Sequence, residues 1–126
     1  MILGIGTDIF DIERMKIRLE KQPSFIEGIF TENEIKYCNK FKNKAQRFAA
    51  RYAAKEAFLK ALGTGWRDGI TFKDIDIIND SIGKPEIFLS GVAKQIADKL
   101  GVTAIHLSMS HTEKLANAFV IINNHK

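Results

Sequence analysis

The hydrophobic positions change period several times along this chain, and each change marks an element. Ile2 to Gly6 is a short apolar run that predicts a buried strand, with Asp8 following it. From Asp11 to about Lys21 the period becomes helical, with Ile12, Met15 and Leu19 on one face and Pro23 as the stop. Phe25, Ile26, Ile29 and Phe30 predict a further short helical piece. Thr31-Glu32-Asn33-Glu34 then reads as a capping box for a helix to about Asn39. A long helix is predicted from about Asn43 to Leu62, with Gly63 as its left-handed terminator.

After Gly63-Thr64-Gly65 the pattern alternates. Asp74 to Ile77 reads as a half-buried strand, Ser81 to Pro85 as a turn, and Glu86 to Leu89 as the returning strand. Ser90 is placed to cap a helix ending near Gly101. His106 to Ser110 and Ala116 to Asn123 supply the last two strands. Helices come first and mostly antiparallel strands later, so the predicted class is α+β. No repeat or linker interrupts the chain, and residues 1–126 are read as a single domain.

The long helix is the most informative segment. At about 100° per residue, Ala45, Phe48, Tyr52, Leu59 and Leu62 share one face, and six further alanines make most of the remainder small and apolar. Such a helix belongs in the core, where its charges need partners. Those charges form two ridges: Arg47, Arg51 and Lys55, and Glu56 with Lys60. The ordinary reading of Glu56 and Lys60 is an i,i+4 ion pair worth about 0.2–0.5 kcal/mol. Lys55 inside the apolar face and Glu56 on its shoulder make a solvated face the weaker account, and spacing alone leaves a functional role for Glu56 evenly balanced against the ion pair. Asp8 or Asp11 can cap the first helix, which leaves one of the two carboxylates spare. A carboxylate beside a strand and another on a buried helix can share a Mg²⁺ ion, which binds one or two carboxylates and keeps waters or phosphates.

Composition narrows the classes. Hydrophobic residues make up 45% and charged residues 27% of 126 residues, an ordinary globular balance with room for only a modest core. Contacts between subunits are a natural way to add burial. The net charge of +4 favours acidic partners without choosing among them. Cys38 is the only cysteine, and no apolar run approaches the roughly 18 residues of a membrane span, so a soluble cytoplasmic protein is expected. The Gly4-Ile5-Gly6 stretch lacks the third glycine of a dinucleotide fingerprint, and no Lys-Ser/Thr follows Gly63-Thr64-Gly65. His106 and His111 lack partners at metal-ligand spacing. His106 alternates with Leu107 and is expected to point away from the core, while His111 ends its strand.

Several segments together resemble one family. Gly4-Ile5-Gly6-Thr7-Asp8-Ile9, the run from Arg47 to Gly65, Gly83-Lys84-Pro85, and Leu107-Ser108-Met109-Ser110-His111-Thr112 are similar, in order, to the signatures of holo-acyl-carrier-protein synthases, which are 4′-phosphopantetheinyl transferases. The resemblance implies a trimeric α+β enzyme of fatty acid biosynthesis with active sites between subunits. It would move the phosphopantetheine arm of coenzyme A to a serine of apo-acyl carrier protein, leaving adenosine 3′,5′-bisphosphate. By the same resemblance Asp8 and Glu56 would ligate Mg²⁺, and Lys60 would join them in catalysis. Lys60, Gly63, Thr64, Gly65, Lys84, Pro85 and His111 would surround coenzyme A, and Arg14 would dock the acidic carrier protein, with Met15 or Phe25 as an apolar anchor. Attack on a pyrophosphate needs charge neutralisation above all, which these residue types supply. Glu56 or a metal-bound water would take the serine proton.

The rival reading is a nucleic-acid-binding module that uses Lys36, Lys40, Lys42, Lys44 and Arg47 to follow phosphates. No recognised binding motif or cluster of stacking aromatics accompanies that patch.

Overall fold

The computed structural model describes residues 1–65 and 69–125. The chain runs β1 (Ile2–Asp11), α1 (Ile12–Lys21), α2 (Pro23–Ile29), α3 (Glu32–Cys38), α4 (Lys44–Leu62), a 3₁₀ turn (Phe72–Asp74), β2 (Ile75–Asn79), β3 (Pro85–Leu89), α5 (Gly91–Leu100), β4 (Ala104–His111) and β5 (Leu115–Asn123). The class is α+β and the paired strands are antiparallel, but they divide into two sheets, β1-β5-β4 and β2-β3.

The first strand runs well past the apolar stretch, so Asp8 lies within β1 rather than after it. The reason is pairing: β1 stays in register with β5 as far as Asp11 opposite Leu115. Alternation then puts Gly4, Gly6, Asp8 and Phe10 on one face of β1. That face meets α4. A Cβ added at Gly4 would lie 2.0 Å from the Ala61 carbonyl oxygen, and one at Gly6 would lie 1.8 Å from that of Ala57. The two glycines are therefore a close-approach surface against a helix whose facing residues are alanines. Ala116, Ala118, Val120 and Ile122 of β5 continue the same surface and are fully or almost fully buried. The strand backbone lies so near the helix axis that the position of Asp8 relative to α4 is set closely.

The predicted helix ends are largely realised. Thr31 and Glu34 form the expected capping box, Gly63 ends α4 at φ 79°, and Gly101 ends α5 at φ 85°. Asp11, not Asp8, caps α1 by accepting from the Arg14 N–H at 3.0 Å. Ser90 occupies the cap position of α5 but its side chain makes no capping bond. Asp74 serves there instead: its carbonyl accepts from the Ser90 N–H at 2.9 Å, and its carboxylate accepts from the Ala93 N–H at 3.4 Å.

Lys55, a charge in the apolar face of α4, has the partners such a position needs. It is fully buried, ion-paired with Glu34 at 2.7 Å, and donates to the carbonyls of Phe72 at 3.0 Å and Ile75 at 2.5 Å. Burial pulls its ammonium below the ordinary lysine range, and the Glu34 carboxylate opposes that shift. Glu34 in turn accepts from the Ile77 N–H at 2.8 Å, so the pair pins α3, α4 and β2 together. Lys55 is a structural tie.

The side of the β1-β5-β4 sheet turned away from α4 carries Ile5 (55% exposed), Ile9 (59%) and Phe119 (42%).

Candidate functional site

Asp8 projects toward α4 because it shares a strand face with Gly6 and Phe10. There it meets Lys60, whose Nζ donates to Asp8 Oδ1 and to the Thr7 carbonyl, each at 3.0 Å. The lysine side chain is 56% exposed and the aspartate 18%, a setting in which an ion pair adds at most about 1 kcal/mol to stability. Lys60 thus turns to Asp8 across the strand–helix junction. Glu56 lies one helical turn before Lys60 and is half-buried. One further turn back stands Tyr52, half-buried. Burial, and then the Glu56 charge, push the Tyr52 hydroxyl up to about 12. The Gly63-Thr64-Gly65 loop leaves α4 just beyond Lys60, with Gly63 and Gly65 both at positive φ. Asp8, Glu56, Lys60 and this loop therefore occupy one end of α4.

The remaining predicted residues gather elsewhere. Pro85 and His111 line a cleft of ≈ 180 Å³ with Arg47, Arg51, Asn79 and Gly83. Lys84 stands beside it, exposed, in the turn whose backbone is held by Asp80. Two features make this cleft basic and under-satisfied. Arg51 is buried and bonds Asn79, and its guanidinium lies 4.4 Å from the Tyr37 ring centre. Arg47 stacks over Phe41 at 4.0 Å, and the buried Nε atoms of both arginines have no hydrogen-bond partner. At 1.5 Å rise per residue, Arg51 and Lys60 are about 14 Å apart along α4, and at 100° per residue they lie on roughly opposite faces. One chain therefore carries two separate clusters.

Sequence reasoning missed the arginine pair as part of a site. The signal was present in the Arg47-Arg51 ridge, but its partners on β2, β3 and β4 come from distant segments. Arg47 is held in that cleft against Phe41, which takes it out of the proposed lysine patch. Arg14 is exposed on α1 with its guanidinium 5.0 Å from the Phe10 ring centre. Met15 is fully buried and cannot anchor a partner, whereas Phe25 is half-buried under Arg18 and Ile17 is 44% exposed on the same helix as Arg14. His106 is exposed, as expected, with its Nε2 3.1 Å from Asn123 Oδ1.

The donor set at the Asp8 end suits a hard divalent cation. It offers two carboxylates with the Thr7 carbonyl close by. Among the described residues no group of three or more His, Cys, Asp or Glu side chains forms a closed metal cage. A cation held by only two carboxylates keeps most of its coordination for water and phosphate oxygens, which is the habit of Mg²⁺.

The model of the 4′-phosphopantetheinyl transferase superfamily matches residues 4–119, a span that contains every residue of both clusters. The fold with its carboxylate end and arginine cleft is thus that of a phosphopantetheinyl transferase. The chain is 46% identical over 125 residues to the holo-[acyl-carrier-protein] synthase of Solibacter usitatus, covering 98% of this chain and all of that one. It is 45% identical over 123 residues to that of Geotalea daltonii, covering 97% and 98%. The crystal structure of the Neisseria meningitidis holo-[acyl-carrier-protein] synthase superposes with a TM-score of 0.89 at 36% identity, over 98% and 100% of the two chains. The Bacillus anthracis enzyme in complex with CoA (3′,5′-ADP) superposes at 0.82, with 36% identity and 99% coverage of each. The chain belongs to the holo-[acyl-carrier-protein] synthase family.

Proposed function

We propose that residues 1–126, acting as one transferase domain, move the 4′-phosphopantetheine arm of coenzyme A to a serine of apo-acyl carrier protein and release adenosine 3′,5′-bisphosphate. The observation that carries the reading is the Asp8–Lys60 pair across the strand–helix junction, with Glu56 one helical turn before Lys60, in a chain that matches holo-[acyl-carrier-protein] synthases over nearly its whole length. Asp8 and Glu56 hold Mg²⁺, which supplies charge neutralisation to the pyrophosphate when bound. Lys60 neutralises a further phosphate oxygen, and the Gly63-Thr64-Gly65 backbone borders the same space. The basic cleft of Arg47, Arg51 and His111 takes another phosphate of coenzyme A, since two buried guanidinium nitrogens there lack partners. Lys84 and Pro85 flank that phosphate.

The two clusters lie on roughly opposite faces of α4. The family resemblance implies a homotrimer with sites between subunits, and in this reading the carboxylate end of one subunit faces the arginine cleft of the next. The exposed Ile5, Ile9 and Phe119 on the uncovered sheet face supply apolar surface for such an assembly. Arg14 on α1 docks the acidic carrier protein, and the cytoplasm, where Cys38 remains a buried free thiol, is the compartment we assign. Among the described residues no helix is long and apolar enough to cross a membrane.

Incubation with coenzyme A, Mg²⁺ and an apo-acyl carrier protein tests the reading directly. Mass spectrometry should show the carrier gaining one phosphopantetheine arm, and the gain should vanish with EDTA. A carrier of unchanged mass, with Mg²⁺ present and the protein folded, would refute it.

A further inference from the structure

A single carboxamide spans the arginine cleft. Asn79, the last residue of β2, is half-buried and lines the cleft with Arg51, Gly83, Pro85 and His111. Its Oδ1 accepts from Arg51 Nη2, and its Nδ2 donates to the Gly83 carbonyl at 2.9 Å. These two partners make opposite demands. A guanidinium only donates and a carbonyl only accepts, so the group between them must accept on one side and donate on the other. A carboxamide does both, whereas an aspartate or a leucine of similar size does not. The turn itself is closed by other means. Asp80 Oδ1 accepts from the Ile82 and Lys84 N–H groups at 3.0 and 2.9 Å, and the Asp80 N–H donates to the Lys84 carbonyl at 2.8 Å. Gly83 supplies the φ of 89° that the turn needs. What Asn79 adds is the tie between this turn and Arg51, 28 positions earlier on α4.

We infer that Asn79 is a positioning residue for coenzyme A: its carboxamide fixes the Arg51 guanidinium against the turn that carries Lys84 and Pro85. This rests on the proposal that the cleft takes a phosphate of coenzyme A. The Tyr37 ring covers one face of the guanidinium, with its centre 4.4 Å away. A stacked guanidinium can still turn in its own plane, and the bond to Asn79 sets that rotation. It does so while the buried Nε of Arg51 keeps no partner in the protein. The neutrality of the acceptor matters as much as its place. A carboxylate would hold Arg51 equally well but would cancel the charge that a phosphate needs. Hydrogen bonds to charged groups are strong enough that losing one shifts an equilibrium about tenfold or more.

The test compares N79A, which deletes both bonds, with N79D, which keeps the acceptor for Arg51 and loses the donor to Gly83. R51M and H111A are run beside them. Coenzyme A is titrated calorimetrically into the whole protein with Mg²⁺ present and carrier absent, and each variant is also melted and assayed for turnover. N79A should bind coenzyme A about tenfold or more weakly, and KM for coenzyme A should rise with it. Its kcat at saturation, its KM for the carrier protein and the Mg²⁺ needed for half-maximal rate should stay unchanged, because the loss is one of uniform binding. N79D should melt no lower than N79A yet bind coenzyme A at least as weakly, which keeps the test decisive even where N79A fails to fold. A merely structural asparagine would instead give affinities that follow the melting temperatures, and that ranking would overturn the positioning role. So would wild-type affinity in N79A and N79D with R51M and H111A impaired. Wild-type affinity in all four would overturn the phosphate site in the cleft and this role with it.

Discussion

Gly6→Ala is the sharpest test of how the site is built. The added methyl carbon would sit 1.8 Å from the Ala57 carbonyl oxygen, 2.8 Å from the Ala61 nitrogen and 2.9 Å from the Ala57 carbonyl carbon, whereas ordinary van der Waals contact begins near 3.4 Å. Relief therefore requires β1 and α4 to separate by about 1.5 Å, and the obstacle is helix backbone, which no rotamer change can move. Overpacking of a well-filled interior costs about 1–3 kcal/mol, and a backbone obstacle puts this site at the upper end. For a chain of this size that is a fall in Tm of roughly 10 °C. Asp8 is two residues away on the same strand face, so the separation also pulls it from Lys60. A displacement of about 1 Å in reacting groups can lower rate by about 100-fold. The assay is a circular dichroism melt paired with kcat at saturating coenzyme A, carrier and Mg²⁺, measured well below the melting point. Gly28→Ala is the control: it lies in α2 with nothing within 4 Å of the added carbon, and should leave stability equal or about 0.5–1 kcal/mol higher. If Gly6→Ala melts and turns over like wild type, the close approach of β1 to α4 does not set the site.

Other expectations follow from the same geometry. Mixing inactive D8N with inactive R47A before subunit exchange should restore about a quarter of the sites, since a cyclic assembly then contains some junctions with both halves intact; no recovery would refute the shared site. Mixing D8N with E56Q should restore little, because both residues stand on one chain. Arg14→Glu should raise KM for the carrier protein sharply and flatten its dependence on salt, with kcat and KM for coenzyme A changed much less; damage to coenzyme A affinity instead would move Arg14 into the phosphate site. Lys55→Met should cost about 3–5 kcal/mol in denaturant unfolding, because it strands the Glu34 carboxylate in the core, yet the folded fraction should keep normal Mg²⁺ dependence. Burial pushes the Cys38 thiol up to about 12 from 9.0. The unfolded chain then loses that proton first, so the thiol's stabilising effect is complete below pH 9 and declines from there toward about pH 12. Cys38→Ala, compared by urea melts across that range, should show a shallower alkaline decline than wild type.

The parts of this protein legible in its sequence are those written in local spacing. The extent of α4, the Thr31–Glu34 capping box and the glycine stops at Gly63 and Gly101 depend on groups three to five residues apart, and each forms as the pattern predicts. The α+β class followed from the order of those patterns, and the family from four motif blocks read together. What local spacing could not state was which distant residue each charge would meet. Asp8 and Asp11 were equivalent as caps until the β1–β5 register extended the strand, gave the cap to Asp11 and turned Asp8 toward Lys60, 52 positions away. Lys55 and Glu56 are neighbours in sequence, but 100° of helical rotation sends one into the core against Glu34 and leaves the other half-buried on the helix shoulder. Gly4 and Gly6 looked like part of a failed nucleotide motif; their purpose is visible only where the α4 backbone leaves no room for a side chain. The arginine cleft joins α4 to β2, β3 and β4, segments with no shared period. Such pairings are set by the packing of strand against helix, a property of the whole chain's close-packed interior that no stretch of it contains.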